Sequence, residues 1–228
     1  MPRRIARELM DDEQSSGDPA DWRGSIHDLA RVNALLGGNR LMRLEIDRLP
    51  RAPHTILDVG TGGADMPAFL LDHLAARGVR ATCVAVDRSP RILAIAAERL
   101  QGRADVSLQL ADAMALPFAD ASFDLGTLVL ALHHFDGGAA VAVLRELARV
   151  ARTVIVNDLR RSPIAWAFAR VVFPLFTRNR FTRNDGPLSV LRAYTPQEVR
   201  DLAAQAGWST IAVRNHPGYR MALVGGRS

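Results

Sequence analysis

Thr55-Ile56-Leu57-Asp58-Val59-Gly60-Thr61-Gly62-Gly63-Ala64-Asp65 is a short apolar run that passes through clustered glycines into a polar segment. The run predicts a buried strand, and the glycines predict a tight turn at which a ligand can approach main-chain amides closely. Beyond the turn, the spacing of apolar residues predicts a helix over 67–77. Further apolar runs lie at 82–87, 106–110, 123–130 and 153–159, separated by helical stretches at 90–100 and 139–151. In those helices Ile92, Leu93, Ala96 and Leu100, then Val141, Leu144 and Leu147, fall on one face. Strands alternating with helices in this way imply an α/β fold with a parallel sheet covered on both sides.

Upstream, two helices are expected over 25–36 and 39–49, with Pro50 as a stop. The charged first dozen residues, and the Asp, Ser, Gly and Pro of 11–19, suggest a mobile arm and a linker that contribute little core. Downstream, 160–193 breaks the rhythm, since more than thirty residues stand where a short loop is usual; a functional insertion is the expectation. Thr195-Pro196-Gln197-Glu198 then reads as a capping box, and Gly207 as a helix stop. Runs at 210–214 and 219–224 suggest a closing hairpin.

With 228 residues the chain suits one α/β domain plus an extra segment. No apolar run reaches membrane-spanning length, and residues 1–10 lack a secretory signal, so a cytoplasmic location is expected. The single cysteine, Cys83, excludes an intrachain disulfide or a cysteine cluster. A net charge of +5 raises the question of nucleic acid, but the basic side chains are all arginine and are scattered among carboxylates, so no nucleic-acid partner is expected.

The chemistry of the turn narrows its ligand. A dinucleotide site wants Gly-x-Gly-x-x-Gly, and here Asp65 occupies the third glycine position, where a carboxylate repels a pyrophosphate. A P-loop needs lysine, and the chain has none. Asp58 and Asp65 favour a ligand with positive charge, an α-ammonium or a sulfonium; capping of the next helix is an equal reading of Asp65. Asp87, with Arg88 beside it, ends the second strand where a ribose diol can be held, while Ser89-Pro90 supplies the cap of the helix that follows. Asp112 follows the third strand, at an end of the sheet where its carboxylate can accept the adenine amino group.

These features together resemble the class I S-adenosylmethionine-dependent methyltransferases, on the DVGTGG turn, the acid of VAVDRS, the ADAMALPF segment and FDLGTLVLALHHF. The resemblance covers about Thr55 to Val224. It implies a Rossmann-like three-layer αβα sandwich, with a mostly parallel seven-stranded sheet and a C-terminal antiparallel hairpin. It also implies S-adenosyl-L-methionine as cofactor, held by Asp58, Gly60, Thr61, Gly62, Gly63, Asp65, Asp87, Arg88, Asp112, Ala113 and Leu130. One departure is Ala64, where the family pattern has glycine. The segments VIVNDLRRSPIAWAFA and FTRNDGPLSVLRAYTPQEV are similar to bacterial methyltransferases found beside type III polyketide synthases, which implies O-methylation of a phenolic or polyketide-like acceptor. C-methylation of a quinol, a nucleotide-binding oxidoreductase and an inactive binding module stand as alternatives.

For a phenolic oxygen a general base helps, and His133, His134 and Asp158 follow strands four and five at their carboxyl ends. Local hydrogen bonding is the competing reading of the two histidines. Asn157, Arg160 and Arg161 are further candidates to orient an acceptor, and Asp185, Arg192 and Tyr194 for contact with it. No metal is expected, because the order of His, Asp and Asn does not match a metal-dependent pattern. The apolar stretch 164–176 predicts a lid over the cleft that also suits peripheral membrane contact. The organisation expected is thus an N-terminal arm and helical cap over 1–50, then a cofactor domain over 51–228 with the lid at 160–193, as monomer or homodimer.

Overall fold

The computed structural model describes residues 1–11 and 18–227. A seven-stranded sheet forms its centre, from β1 (Thr55–Val59), β2 (Thr82–Asp87), β3 (Val106–Leu110), β4 (Phe123–Val129), β5 (Ala151–Leu159), β6 (Thr210–His216) and β7 (Arg220–Gly226), in the order β3-β2-β1-β4-β5-β7-β6. Strands β1 to β5 run parallel, and β7 is antiparallel to both β5 and β6. The chain adds β2 and β3 on one side of β1 and β4 and β5 on the other, and this switch in strand order puts the carboxyl ends of β1, β2 and β4 around one crevice.

Helices α1 (Pro19–Leu35), α2 (Gly38–Asp47), α3 (Asp65–Ala75), α4 (Pro90–Arg99), α5 (Gly137–Val150), α6 (Pro163–Phe176), α7 (Arg180–Arg192) and α8 (Pro196–Gln205) complete the chain. Side chains alternate across the pleat, so consecutive residues of β1 serve opposite layers. Leu57 and Val59 pack with Leu128, Leu144 and Leu147 toward α5, whereas Ile56 packs with Leu70, Leu74, Met42 and Ile46 toward α3 and α2. Both faces are therefore covered, as a parallel sheet requires. At the rim β3 is largely exposed.

Helix starts follow local capping chemistry. Ser89 Oγ accepts from the Ile92 amide at 3.4 Å ahead of Pro90, Asp136 caps α5, and Thr195 and Glu198 close a reciprocal capping box. Asp65, by contrast, is not a cap: the cap position of α3 is Ala64, in the left-handed region at φ 53, and Asp65 is the first helical residue. Ala64 thus takes the conformation that glycine would take with less strain.

One segment departs from expectation. Residues 1–11 are not a loose arm, because Arg4 N donates to the Leu191 carbonyl at 3.0 Å, and the Leu9 and Met10 amides donate to the Asp185 carboxylate at 2.8 and 3.1 Å. The expected linker over 11–19 lies mainly outside the described residues, and α1 begins at Pro19 with Asp18 as its cap. The stretch 160–193 folds as the antiparallel pair α6 and α7. Gly186 lets the two approach, since a Cβ there would sit 2.6 Å from the Phe173 ring.

Candidate functional site

One cavity of about 670 Å³ opens at the carboxyl ends of β1, β2 and β4. All eleven residues expected to hold the cofactor line it: Asp58, Gly60 to Gly63, Asp65, Asp87, Arg88, Asp112, Ala113 and Leu130. Its floor is the glycine turn. Gly60 and Gly62 have φ of +65° and +55°, the region that favours glycine, and Gly62 N donates to Asp87 Oδ2 at 3.1 Å. Gly63 is needed for a different reason, because a Cβ there would meet Ile26 of α1 at 2.4 Å.

Acceptor groups dominate this wall. Asp58 is buried, takes a hydrogen bond from Thr127 Oγ1 at 2.5 Å, and has its carboxyl pushed up to about 7, first by burial, with Thr127 opposing the shift. The Thr61 hydroxyl leans toward the same carboxylate without reaching hydrogen-bond geometry, so its Oγ1 is buried and unpaired. Asp87 accepts the amides of Gly62 and Ser89; burial raises its carboxyl even so. Asp112 accepts the Met114 amide at 2.9 Å, and Asp65 accepts from Asn33 Nδ2 at 3.0 Å. A wall of four carboxylates and an orphaned hydroxyl fits a ligand that offers an ammonium, a sulfonium, ribose hydroxyls and an amino group. It does not fit a phosphate chain.

Leu130 follows β4 directly with φ 52, an uncommon conformation for so bulky a residue, pinned where its amide donates to the Asn157 carbonyl at 2.8 Å. The chain then turns through a single 3-10 turn, Leu132–His134, that delivers both histidines to the cavity wall. His133 Nδ1 lies 2.7 Å from Asp158 Oδ1, and its main-chain amide donates to Asp158 Oδ2 at 3.0 Å. Burial alone would raise the Asp158 carboxyl, but the charge and hydrogen bonds of His133 outweigh it and hold that carboxyl low. An ionised Asp158 can only accept, so Nδ1 of His133 carries a proton. Asp158 itself stands behind His133 and does not line the cavity.

The roof above these histidines was not legible in the sequence. Glu8 is buried with Oε1 3.7 Å from His133 Nε2 and Oε2 3.8 Å from His134 Nε2, and burial pushes its carboxyl up to about 7. Asp11 binds His134 Nδ1 at 2.7 Å and pairs with Arg192, which also donates to the His134 carbonyl. Burial works against the charge on Asp11, but His134 and Arg192 hold its carboxyl below the usual range. Carboxylate and imidazole atoms of Glu8, His133 and His134 lie within 4.8 Å of one another, a spacing that suits a metal. Arg192 already sets a cation 3.7 Å from Glu8, which weakens the pull of the triplet on a second cation.

Other expected acceptor contacts are engaged elsewhere. Arg161 pairs with Glu198 at 2.6 Å, and Asn157 is buried between Gly38 and Arg220. Tyr194 donates to the Phe135 carbonyl at 2.8 Å beneath the Arg3 guanidinium. Arg160 and Tyr194 lie outside the cavity lining, while Asp185 and Arg192 are part of it. An unforeseen member is Arg220, fully buried on β7, whose guanidinium reaches Asn33, Asn157 and the Leu36 carbonyl; burial pushes it down to about 10. The apolar side of the cavity comes from α6 and α7, through Ala165, Phe168, Ala169, Phe173 and Val190.

Comparison with known proteins agrees with this geometry. A family model described as a methyltransferase domain matches residues 56–153. A demethylmenaquinone methyltransferase of Thermus thermophilus is 33% identical over 175 residues, covering 71% of this chain and 77% of its own. One from Beutenbergia cavernae is 30% identical over 237 residues, covering 92% of each. Among solved structures, an S-adenosylmethionine-dependent methyltransferase of Aquifex aeolicus superposes with a TM-score of 0.65 at 18% identity, over 92% of this chain and 98% of that one. Human N-acetylserotonin methyltransferase superposes at 0.67 and 14% identity, over 92% of this chain and 57% of that one.

Proposed function

The chain belongs to the class I S-adenosylmethionine-dependent methyltransferases, and from that premise we propose that it methylates the hydroxyl oxygen of a small, hydrophobic, phenol-type acceptor. The cofactor is S-adenosyl-L-methionine, which when bound supplies an electrophilic methyl group on a sulfonium. Asp58 and Asp65 would attract its positive charge, Asp87 would accept from its ribose hydroxyls, and Asp112 and Ala113 would hold its adenine. Arg88 and Leu130 close the sides of that seat.

The observation that carries the reading is the pairing of His133, a residue of the cavity lining, with the buried Asp158 at 2.7 Å. In its neutral form His133, with Nδ1 protonated toward Asp158, keeps a lone pair on Nε2, and Nε2 is the group that takes the phenolic proton. Asp158 is a positioning residue that fixes the tautomer and steadies the imidazolium as it forms. Glu8 and His134 border the same space and shape the polar end of the acceptor pocket. Phe168, Ala169, Phe173 and Val190 hold the apolar remainder of the acceptor and keep water from the reacting oxygen.

A second reading is supported by the relatives named demethylmenaquinone methyltransferases: the same proton removal activates the ring carbon of a hydroquinone. The two are separated by offering the enzyme a panel of phenols and hydroquinones with cofactor labelled in its methyl group. Label found on oxygen by mass and NMR supports the first reading, and label on a ring carbon supports the second. Transfer only to amine or thiol acceptors would sink both.

A further inference from the structure

We propose that the outer face of α6 is a docking surface for an anionic lipid bilayer. Ile164, Phe168, Val171 and Leu175 follow one another at intervals of four, three and four residues, which places them in a single stripe along the helix, at whose inner border Phe168 also reaches the cavity lining. They are 67, 45, 64 and 83% exposed, and they make up most of the large exposed hydrophobic side chains that follow the glycine turn. The opposite side of the same helix is already occupied, since Ala165 and Ala169 are buried against Val190, with Phe173 and Tyr219 beside them. The helix therefore carries two apolar faces, and the sheet and α7 account for only one.

Charge selects the occupant. Between residues 160 and 183 the chain has six arginines and no carboxylate. Arg170, Arg178 and Arg183 are exposed and form no ion pair among the described residues, and Arg170 lies over the Trp166 ring at 5.3 Å. An apolar stripe bordered by unpaired cations and an aromatic ring matches a headgroup and acyl boundary with negative surface charge. A second copy of the chain would set these like charges against one another, which disfavours a two-fold pairing through this face. At 14 residues α6 is too short to span a bilayer, so the contact lies in the plane of the surface. Because α6 also walls the cavity, docking brings the apolar side of the pocket next to the lipid. The surface contact does not depend on which acceptor atom is methylated.

The test is cosedimentation of the full chain with vesicles of phosphatidylcholine alone and with about one-third phosphatidylglycerol. The wild type is expected to bind the anionic vesicles, to bind the neutral ones far more weakly, and to be released by salt. Replacing Val171→Glu and Leu175→Glu together should lower the bound fraction at least about ten-fold, with the affinity for S-adenosylmethionine unchanged in calorimetry. Should that pair also lose cofactor affinity, Leu175→Ser alone decides by the same two readouts. Wild type that stays in the supernatant, or a folded variant that sediments like wild type, overturns the proposal. So does a wild-type dimer that the variant dissociates without any vesicle binding, since a second copy would then be the occupant.

Discussion

The floor and the roof of the cavity are built in opposite ways. On the floor, Asp58, Gly60 to Gly63, Asp65 and Asp87 lie within thirty residues, on β1, the turn and helix start that follow it, and the end of β2, and the sheet fixes the two strand ends through the parallel register of β1 with β2. In the roof, Glu8 and Asp11 meet His133, His134, Asp185 and Arg192 across more than a hundred residues of sequence, held by side-chain bonds. A floor made by local chain geometry suits a constant ligand, the cofactor. A roof made by remote polar contacts can be altered residue by residue, as suits a variable acceptor.

If that division holds, substitutions should separate the two functions. The largest effect is expected for His133→Ala, which should lower kcat by roughly 10²- to 10⁴-fold once an acceptor is known, by loss of the general base. Cofactor affinity should stay at the wild-type level. Asp87→Ala should do the reverse, weakening cofactor binding by more than about ten-fold through lost charge-assisted hydrogen bonds; calorimetry reads this directly. Removing residues 1–11 should raise the KM for the acceptor by about ten-fold, as for a few lost contacts, and leave cofactor affinity within about two-fold. A large loss of cofactor affinity on that truncation would merge roof and floor into one unit.

The smallest effect concerns pH. In the free enzyme burial raises the Asp58 carboxyl to about 7, and a cationic ligand favours its ionised form. Cofactor affinity should therefore fall as pH drops through about 7, with proton release on binding below that pH. The linked effect on folding has the opposite sense. A carboxyl raised on folding favours the native state at low pH, and that contribution is lost as pH rises from about 4 to about 7. Asp58→Asn should flatten the affinity profile, and an unchanged slope in calorimetry across pH would show that Asp58 is not the titrating group.

The same contrast explains what the sequence revealed. β1, β2 and β3 were legible to the residue, since β-branched runs bounded by turn residues need no distant partner to be recognised. The Thr195 capping box and the Ser89 cap were legible for the same reason. The start of α1 was missed although Asp18-Pro19 is a cap signal, because the polar residues around it read as linker. In α7, Gly186 and Pro187 hid a helix that the packing of Phe173 against α7 supports. Glu8 and Arg220 had no signal at all. Each is an ordinary charged residue in the sequence, and each becomes a buried one only because partners from two remote segments surround it.

The most direct test is one calorimetric series, with S-adenosylmethionine titrated into the wild type, Asp87→Ala and His133→Ala at neutral pH. The account expects wild-type affinity for His133→Ala and a loss of more than about ten-fold for Asp87→Ala. Unchanged affinity in Asp87→Ala, or an equal loss in both variants, would contradict a floor that holds the cofactor and a roof that acts on the acceptor.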